Sequence, residues 1–350
     1  MKKVRIGAVN WDASLPREYY FGFYQINSLS QAKYRTWTPF YADIIDEEKV
    51  TYHERTPEEY EREMQYAIDA GIDYFAFVWY PTEGSKKHEQ TCYRDCSHKV
   101  FELNYARRLY EKSTLKDKLG MCAILAAHPF CDSDIKELTD AFLKPYYEKI
   151  GDSPLLYVYS GYREDIISKI IAVCKQNGQP VPYVVPMVAN ANDADKMHLA
   201  SALSAYTVCA EGVNTHDELT DFVIEKNRDR LSENLAIIPT FSVGWNPSPR
   251  IERTTPWTSK SEGVSNYPTV PYAKRASEEE LYLGAVRFSE FLKNEVKDRM
   301  VGHVLTFAWN EFEEGGYICP TYTRDGGVSA TRVEVFAKIS KLFKSSLDGE

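Results

Sequence analysis

No run of 18 apolar residues occurs in this 350-residue chain, so no membrane-spanning helix is expected. Basic clusters are missing too. The formal net charge is −9 and no stretch concentrates lysine or arginine, which removes the electrostatic footprint of a nucleic-acid binder. The opening "MKKVRIGAVNWDASL" carries basic residues without the apolar core of a signal peptide. As written the chain therefore reads as cytoplasmic, with a periplasmic or secreted location open if a signal peptide has been removed. Seven cysteines, an odd number scattered over a long chain, do not read as a disulfide framework. Cys122 and Cys209 lie in apolar runs and read as small buried hydrophobes. His88, Cys92, Cys96 and His98 offer zinc donors, but their spacing matches no standard zinc site, and a polar loop or helix start is the expectation. The serine-hydrolase elbow GxSxG, the Walker loop and a glycine-rich turn after the first strand are all absent. No metal or cofactor is expected.

What the chain does contain is a repeated alternation. Eight short runs rich in Val, Ile, Ala, Phe and Tyr occupy residues 4–11, 74–80, 120–127, 154–160, 182–189, 205–211, 236–245 and 303–312. Most are continuously apolar, as in parallel strands covered on both faces. Amphipathic segments lie between them. "TPEEYEREMQYAIDAG" opens with Thr56 as N-cap, Pro57 in the first turn and Glu59 completing a capping box. "SEEELYLGAVRFSEFLKNEV" repeats the device with Ser277 and Glu280. The pattern predicts an α/β fold, one (β/α)8 TIM barrel forming a single domain over residues 1–350. Long βα loops are expected after strands 1 and 7, at residues 12–55 and 246–276. Both would emerge at the C-terminal face, where barrel enzymes keep their active sites. The first is dense in aromatics, which pack a loop down and, gathered at a rim, suit sugar stacking.

In that barrel the strand ends bring together Trp11, Tyr80, His128, Tyr159, Asn190, Glu211, Trp245, Trp309, Asn310 and Glu311. The set is rich in carboxylate, amide and indole groups and poor in the ligands a catalytic metal needs. Glu311-x-x-Glu314 is delivered by an apolar strand and followed at once by "GG". Two carboxylates held close cannot both ionise freely, so one should keep its proton near neutral pH and supply an acid beside a base. That is the equipment of glycosidic bond cleavage. Glu313, between them, is expected to point away into solvent. An alternative pairing takes Glu211 as nucleophile from another strand end. Arg250 and Arg253, after the seventh strand, suit carboxylate or sulfate groups on sugars, or salt bridges to nearby carboxylates.

"AWNEFEEGGYICP" (308–320) resembles the signature of glycoside hydrolase family 99 and WbsX-like proteins, in which Asn-Glu-aromatic-x-Glu-Gly ends the last barrel strand. "GIDYFAFVWYP" (71–81) resembles their second strand, and "SVGWNPSPR" (242–250) a WbsX-like Gly-Trp-Asp-Asn-x-Pro-Arg segment. Asn246 and Pro247 stand in place of that Asp-Asn, and the first strand lacks the Tyr-His-Pro pattern of the family. The resemblance implies a retaining, endo-acting glycosidase barrel with Glu311 as base and Glu314 as general acid. It implies a base that takes a proton from the sugar 2-hydroxyl, giving an anhydro-sugar intermediate. Substrate contacts are expected from Trp11, Tyr80, His128, Asn190, Trp245, Arg250, Trp309 and Asn310, with a carbohydrate as partner. A glycosyltransferase of polysaccharide biosynthesis and a non-catalytic glycan-binding barrel are the alternatives.

Overall fold

A computed structural model describes residues 4–82, 104–159, 162–188, 196–261 and 264–347. Eight segments carry the barrel: β1 Arg5–Asn10, β2 Tyr74–Trp79, β3 Gly120–Leu125, β4 Ser153–Val158, β5 Tyr183–Pro186, β6 Ala202–Leu203, β7 in two pieces (Ala236–Ile237 and Thr240–Ser242), and β8 His303–Phe307. All ladder contacts between neighbours are parallel. β1 pairs with both β8 and β2, and the ladder continues through β3 and β4 to β5. A single bridge, Met187 to Ser204, links β5 to β6; β6 then pairs with the first piece of β7, and the second piece with β8. The ring is thereby closed, as the alternating pattern predicts.

Helices occupy the outside. Their starts follow the capping chemistry read from the sequence: Thr56 with Glu59 opens Pro57–Asp69, and Ser277 with Glu280 opens Glu278–Phe291. Thr215 with Glu218 does the same for His216–Leu231. Tyr60, Met64 and Ala67 are buried on one stripe of the first of these, as their spacing requires. The last helix, Thr331–Leu347, packs against Glu278–Phe291 and closes the ring near the chain's end.

The sixth strand differs from expectation. It covers Ala202–Leu203, and residues 205–211 run irregularly across the C-terminal face. The Thr240 hydroxyl accepts from the Ala205 N–H at 3.1 Å and donates to the Ala205 carbonyl at 2.8 Å. A side chain has taken the ladder's place at that point, and the backbone is released. Glu211 is consequently exposed, in irregular chain well past the end of β6.

At the opposite face, Glu148 accepts hydrogen bonds from Arg5 Nε and His303 Nε2, each at 2.9 Å, and Lys344 pairs with Asp73 at 2.8 Å. This network fastens the N-terminal ends of β1 and β8 to the segment before β4 and to the last helix. The two long loops are at the C-terminal face. The first contains a helix, Tyr20–Leu29, and a hairpin of Ala42–Asp46 with Lys49–Tyr52. It is tied to the second by Arg253 to Glu48 at 3.0 Å, and by Arg275 to the Thr36 carbonyl at 3.2 Å.

Candidate active site

Beyond β8 the chain makes a tight structure of its own. Asn310–Glu311 pairs antiparallel with Gly316–Tyr317, and Phe312–Glu314 forms a single 3₁₀ turn between them. The two glycines are steric necessities. Gly315 sits in the left-handed region at φ 70°, and a Cβ on Gly316 would lie 2.2 Å from the Phe307 ring. The turn folds the three glutamates back against the barrel mouth instead of releasing them into solvent. Asn246 anchors it from the other side. Its N–H donates to the Glu314 carbonyl at 2.6 Å, and its side-chain oxygen accepts from the Ser248 N–H at 3.0 Å, opening the short helix Ser248–Glu252.

That helix presents Arg250 to all three carboxylates. Its Nη2 lies 2.9 Å from Glu313 Oε1 and 3.5 Å from Glu311 Oε2, and its Nη1 donates to Glu314 Oε1. The guanidinium also stacks over Trp11 at 5.3 Å. Glu314 Oε1 receives a second bond from the Tyr267 hydroxyl at 2.8 Å, and Glu311 Oε1 accepts from Tyr206. Glu311 is driven well above the usual carboxylate range, by burial first and by the charge of Glu314 second, with Arg250 opposing. Of the pair, Glu311 is thus the carboxyl whose surroundings favour the protonated form.

Both carboxylates line a cavity of about 350 Å³ with Trp11, Phe21, Tyr80, His128, Tyr159, Tyr206, Arg250, Trp257 and Tyr267 among its walls. Trp11 donates from its indole to the Tyr80 hydroxyl at 2.8 Å, and His128 packs edge-on against Tyr80 at 5.1 Å. Trp257 reaches across to Phe21 at 4.9 Å, so both long loops contribute to one aromatic wall. Such a surface, apolar with a few convergent polar groups, is that of a small-molecule or sugar site.

Three expected substrate contacts, Trp309, Trp245 and Asn310, are placed off the cavity, and Glu313 is not in solvent as expected. Trp309 is fully buried, donates to Glu63 at 2.8 Å and packs on Phe75; it belongs to the core because its indole needs that buried acceptor. Trp245 stands behind the wall, edge-on to Tyr267 at 5.9 Å. Asn310 uses both ends of its amide on Trp11, accepting from its N–H at 2.9 Å and donating to its carbonyl at 2.8 Å. It aims the indole and does not itself face the cavity. Glu313 is buried and ion-paired, because the 3₁₀ turn points it at Arg250 and away from solvent. Asn190 and the His88–His98 cluster lie outside the described residues; among the described ones no group of three metal-ligating side chains gathers. Cys209 is exposed on the cavity wall, where the missing sixth-strand ladder leaves it. Tyr206, Trp257 and Tyr267 were not legible locally: Tyr206 and Tyr267 lie in irregular chain and Trp257 in a short 3₁₀ turn, Pro256–Thr258, and only the fold brings them to the glutamates.

No protein-family model matches the sequence, and no curated protein matches it. Its fold does match solved structures. A glycoside hydrolase family 99 endo-α-mannosidase from Bacteroides thetaiotaomicron, solved with bis-tris propane, superimposes with a TM-score of 0.57 at 12% identity over 100% of each chain. A second structure, also titled as the endo-α-mannosidase from that organism, gives 0.52 at 13% identity over 85% of this chain and 82% of the other. The chain thus has the (β/α)8 fold of a family 99 glycoside hydrolase. Among the described residues no helix is long and apolar enough to cross a membrane.

Proposed function

We propose that this protein cleaves glycosidic bonds in a poly- or oligosaccharide, with Glu311 and Glu314 as the acid–base pair. The observation that carries the reading is the pair itself: two buried carboxylates at the end of the last barrel strand, sharing one arginine and facing an aromatic cavity. The family 99 fold and the Asn-Glu-Phe-x-Glu-Gly motif support it. They also make an α-mannoside the first substrate to try, and endo action with retention the expected outcome. Glu311 would take the proton of the sugar 2-hydroxyl as that oxygen closes on C1. Glu314 would give its proton to the leaving oxygen, and water would then open the anhydro sugar.

Burial and the charge of Glu314 favour a proton on Glu311. In the role order just given, that proton must pass to Glu314 once substrate displaces the bonds from Arg250 and Tyr267. The same observation favours a second reading in which Glu311 is the acid and Glu314 the base. Glutamine substitution distinguishes them. Either E311Q or E314Q should lower turnover on the order of 10²-fold or more on the true substrate. An aryl glycoside with a good leaving group needs little protonation, so it should partly rescue whichever variant lacks the acid. Rescue of E314Q supports the first order and rescue of E311Q the second. A purified sample that turns over nothing in a panel of plant, fungal and bacterial glycans would end the hydrolase reading.

A further inference from the structure

Resting on the acid–base pair proposed above, we infer that Glu313 is a positioning residue of the site: it holds Arg250 from behind and so limits the positive charge that reaches Glu311 and Glu314. The sequence marks it only as the residue between two catalytic candidates. The structure buries it completely, with Oε1 2.9 Å from Arg250 Nη2 and Oε2 without a hydrogen-bond partner. The same Nη2 lies 3.5 Å from Glu311 Oε2, so the two carboxylates compete for one donor group and Glu313 has the shorter contact. A fully buried carboxylate is costly to keep unless its charge is used.

The charge inventory shows what that use is. Among the described residues, the groups around the three glutamates include Arg250 on the short helix, Tyr52 from the hairpin of the first long loop, Tyr80 after β2, His128 after β3 and Tyr159 after β4. Tyr206 and Cys209 follow β6, and Tyr267 belongs to the second long loop. Burial, then neighbouring carboxylates, pushes Tyr159 up to about 12 and raises Tyr52, Tyr206 and Tyr267 as well. For Tyr80, burial is opposed by the bond from Trp11 and still prevails. Cys209 is exposed as a residue, yet the crowding of its thiol, with Glu314 and Glu211, brings it up to about 12. These tyrosines and the thiol stay neutral over the working range. Three carboxylates therefore share one arginine, an excess of two negative charges that one retained proton halves. Glu313 is the member of this set that is off the cavity wall, so its charge acts on the other two without touching substrate.

Removing that charge has a definite sign. In E313Q the direct repulsion of Glu311 falls, and Arg250 Nη2 is released towards Glu311 Oε2. Both changes favour the ionised form of Glu311, so the proton leaves at lower pH. The alkaline limb of kcat/KM, which reports the loss of the essential proton in the free enzyme, should move to lower pH. Turnover on that side should drop roughly tenfold, one logarithmic unit of protonation, while KM for the same glycan changes little. E313D retains the charge at a shorter reach, so its limb should fall between those of wild type and E313Q. If E313Q does not fold, E313D carries the comparison alone, and coincidence of its limb with wild type overturns the inference.

Infrared titration of the protonated-carboxyl band supplies a readout independent of activity. In difference spectra against E311Q, which cancel the other buried carboxyls Asp12 and Glu63, wild type should show a protonated-carboxyl band that titrates at lower pH in E313Q. An unmoved band in folded E313Q overturns the inference, even if activity falls. A band that moves in a protein without activity on any glycan upholds the link between Glu313 and Glu311 and removes the glycosidase reading instead.

Discussion

Arg250 is the residue on which the site turns. From the sequence it is a fork for acidic groups on a sugar. In the structure both terminal nitrogens are committed to the protein's own carboxylates, leaving only Nε without a partner. Its task is to make a dense negative cluster tolerable at the mouth of the barrel. Truncation should therefore be felt as stability before affinity. R250A strands three buried carboxylates, and breaking a buried ion pair from one side costs about 3–5 kcal/mol. The stranded groups recover by taking up protons, so the deficit in melting temperature should be larger at pH 8 than at pH 5. Thermal denaturation of R250A at the two values checks this. A raised KM with an unchanged melting temperature would return Arg250 to the substrate.

At the scale of the element, the turn after β8 explains why an apolar strand runs into glutamates and glycines. The strand is held from below and the turn from both sides; Gly315 takes a left-handed φ beside Trp37, and Gly316 passes Phe307 where any side chain would collide. Trp309 fixes the start of the turn. Its N–H donates to the Val9 carbonyl at 2.8 Å and its indole to Glu63, which Arg55 holds at 2.5 Å. W309F keeps the ring and deletes one donor, leaving a buried carboxylate oxygen with its bond unmade. A loss of about 1–3 kcal/mol is expected, read by denaturant titration, with KM close to wild type. A large rise in KM at unchanged stability would instead place the indole in the substrate site. The aromatics of the first long loop divide in the same way. Tyr34 and Trp37 pack on each other, Phe40 packs on Tyr66, and Phe21 reaches the cavity.

Across the whole molecule the two faces of the barrel have separate duties. The C-terminal face concentrates buried like charges around Arg250, while the N-terminal face holds matched pairs. Burial alone would raise Glu148, but hydrogen bonds from His303 and Arg5, together with the charges of both, outweigh it and leave it below its ordinary value of 4.5. A carboxylate depressed by folding stabilises the native state above its unfolded value, and that share is lost as pH falls through the folded value. E148Q should therefore cost about 1–3 kcal/mol at pH 7. The gap to wild type should close as the pH drops below about 4.5, the ordinary carboxylate value, towards the depressed one. Denaturant midpoints across pH 3–7 measure it; a constant gap would mean that packing, and not charge, is what Glu148 contributes.

How much of this was legible beforehand follows from the range of the interactions. Apolar runs, capping boxes and turn residues are local, so the sequence by itself determined the alternation of strands and helices, the barrel and the strand ends where chemistry would sit. Glu311, Glu314, Trp11, Tyr80 and His128 came out on one cavity for that reason: position along a parallel strand is a one-dimensional property. The end of the sixth strand did not come out, because a hydroxyl 35 residues further on, that of Thr240, takes the ladder's place at Ala205. Nor did the fate of polar groups. Whether an indole lines a cavity, as that of Trp11 does, or meets a buried glutamate, as that of Trp309 does, depends on which partner the fold supplies. Only the tertiary structure could decide that Glu313 is buried against Arg250, 63 residues away, and that Tyr206 and Tyr267 complete the site. Desolvation and Coulomb forces act through space, and their sign at a residue is set by neighbours that the chain's order does not record.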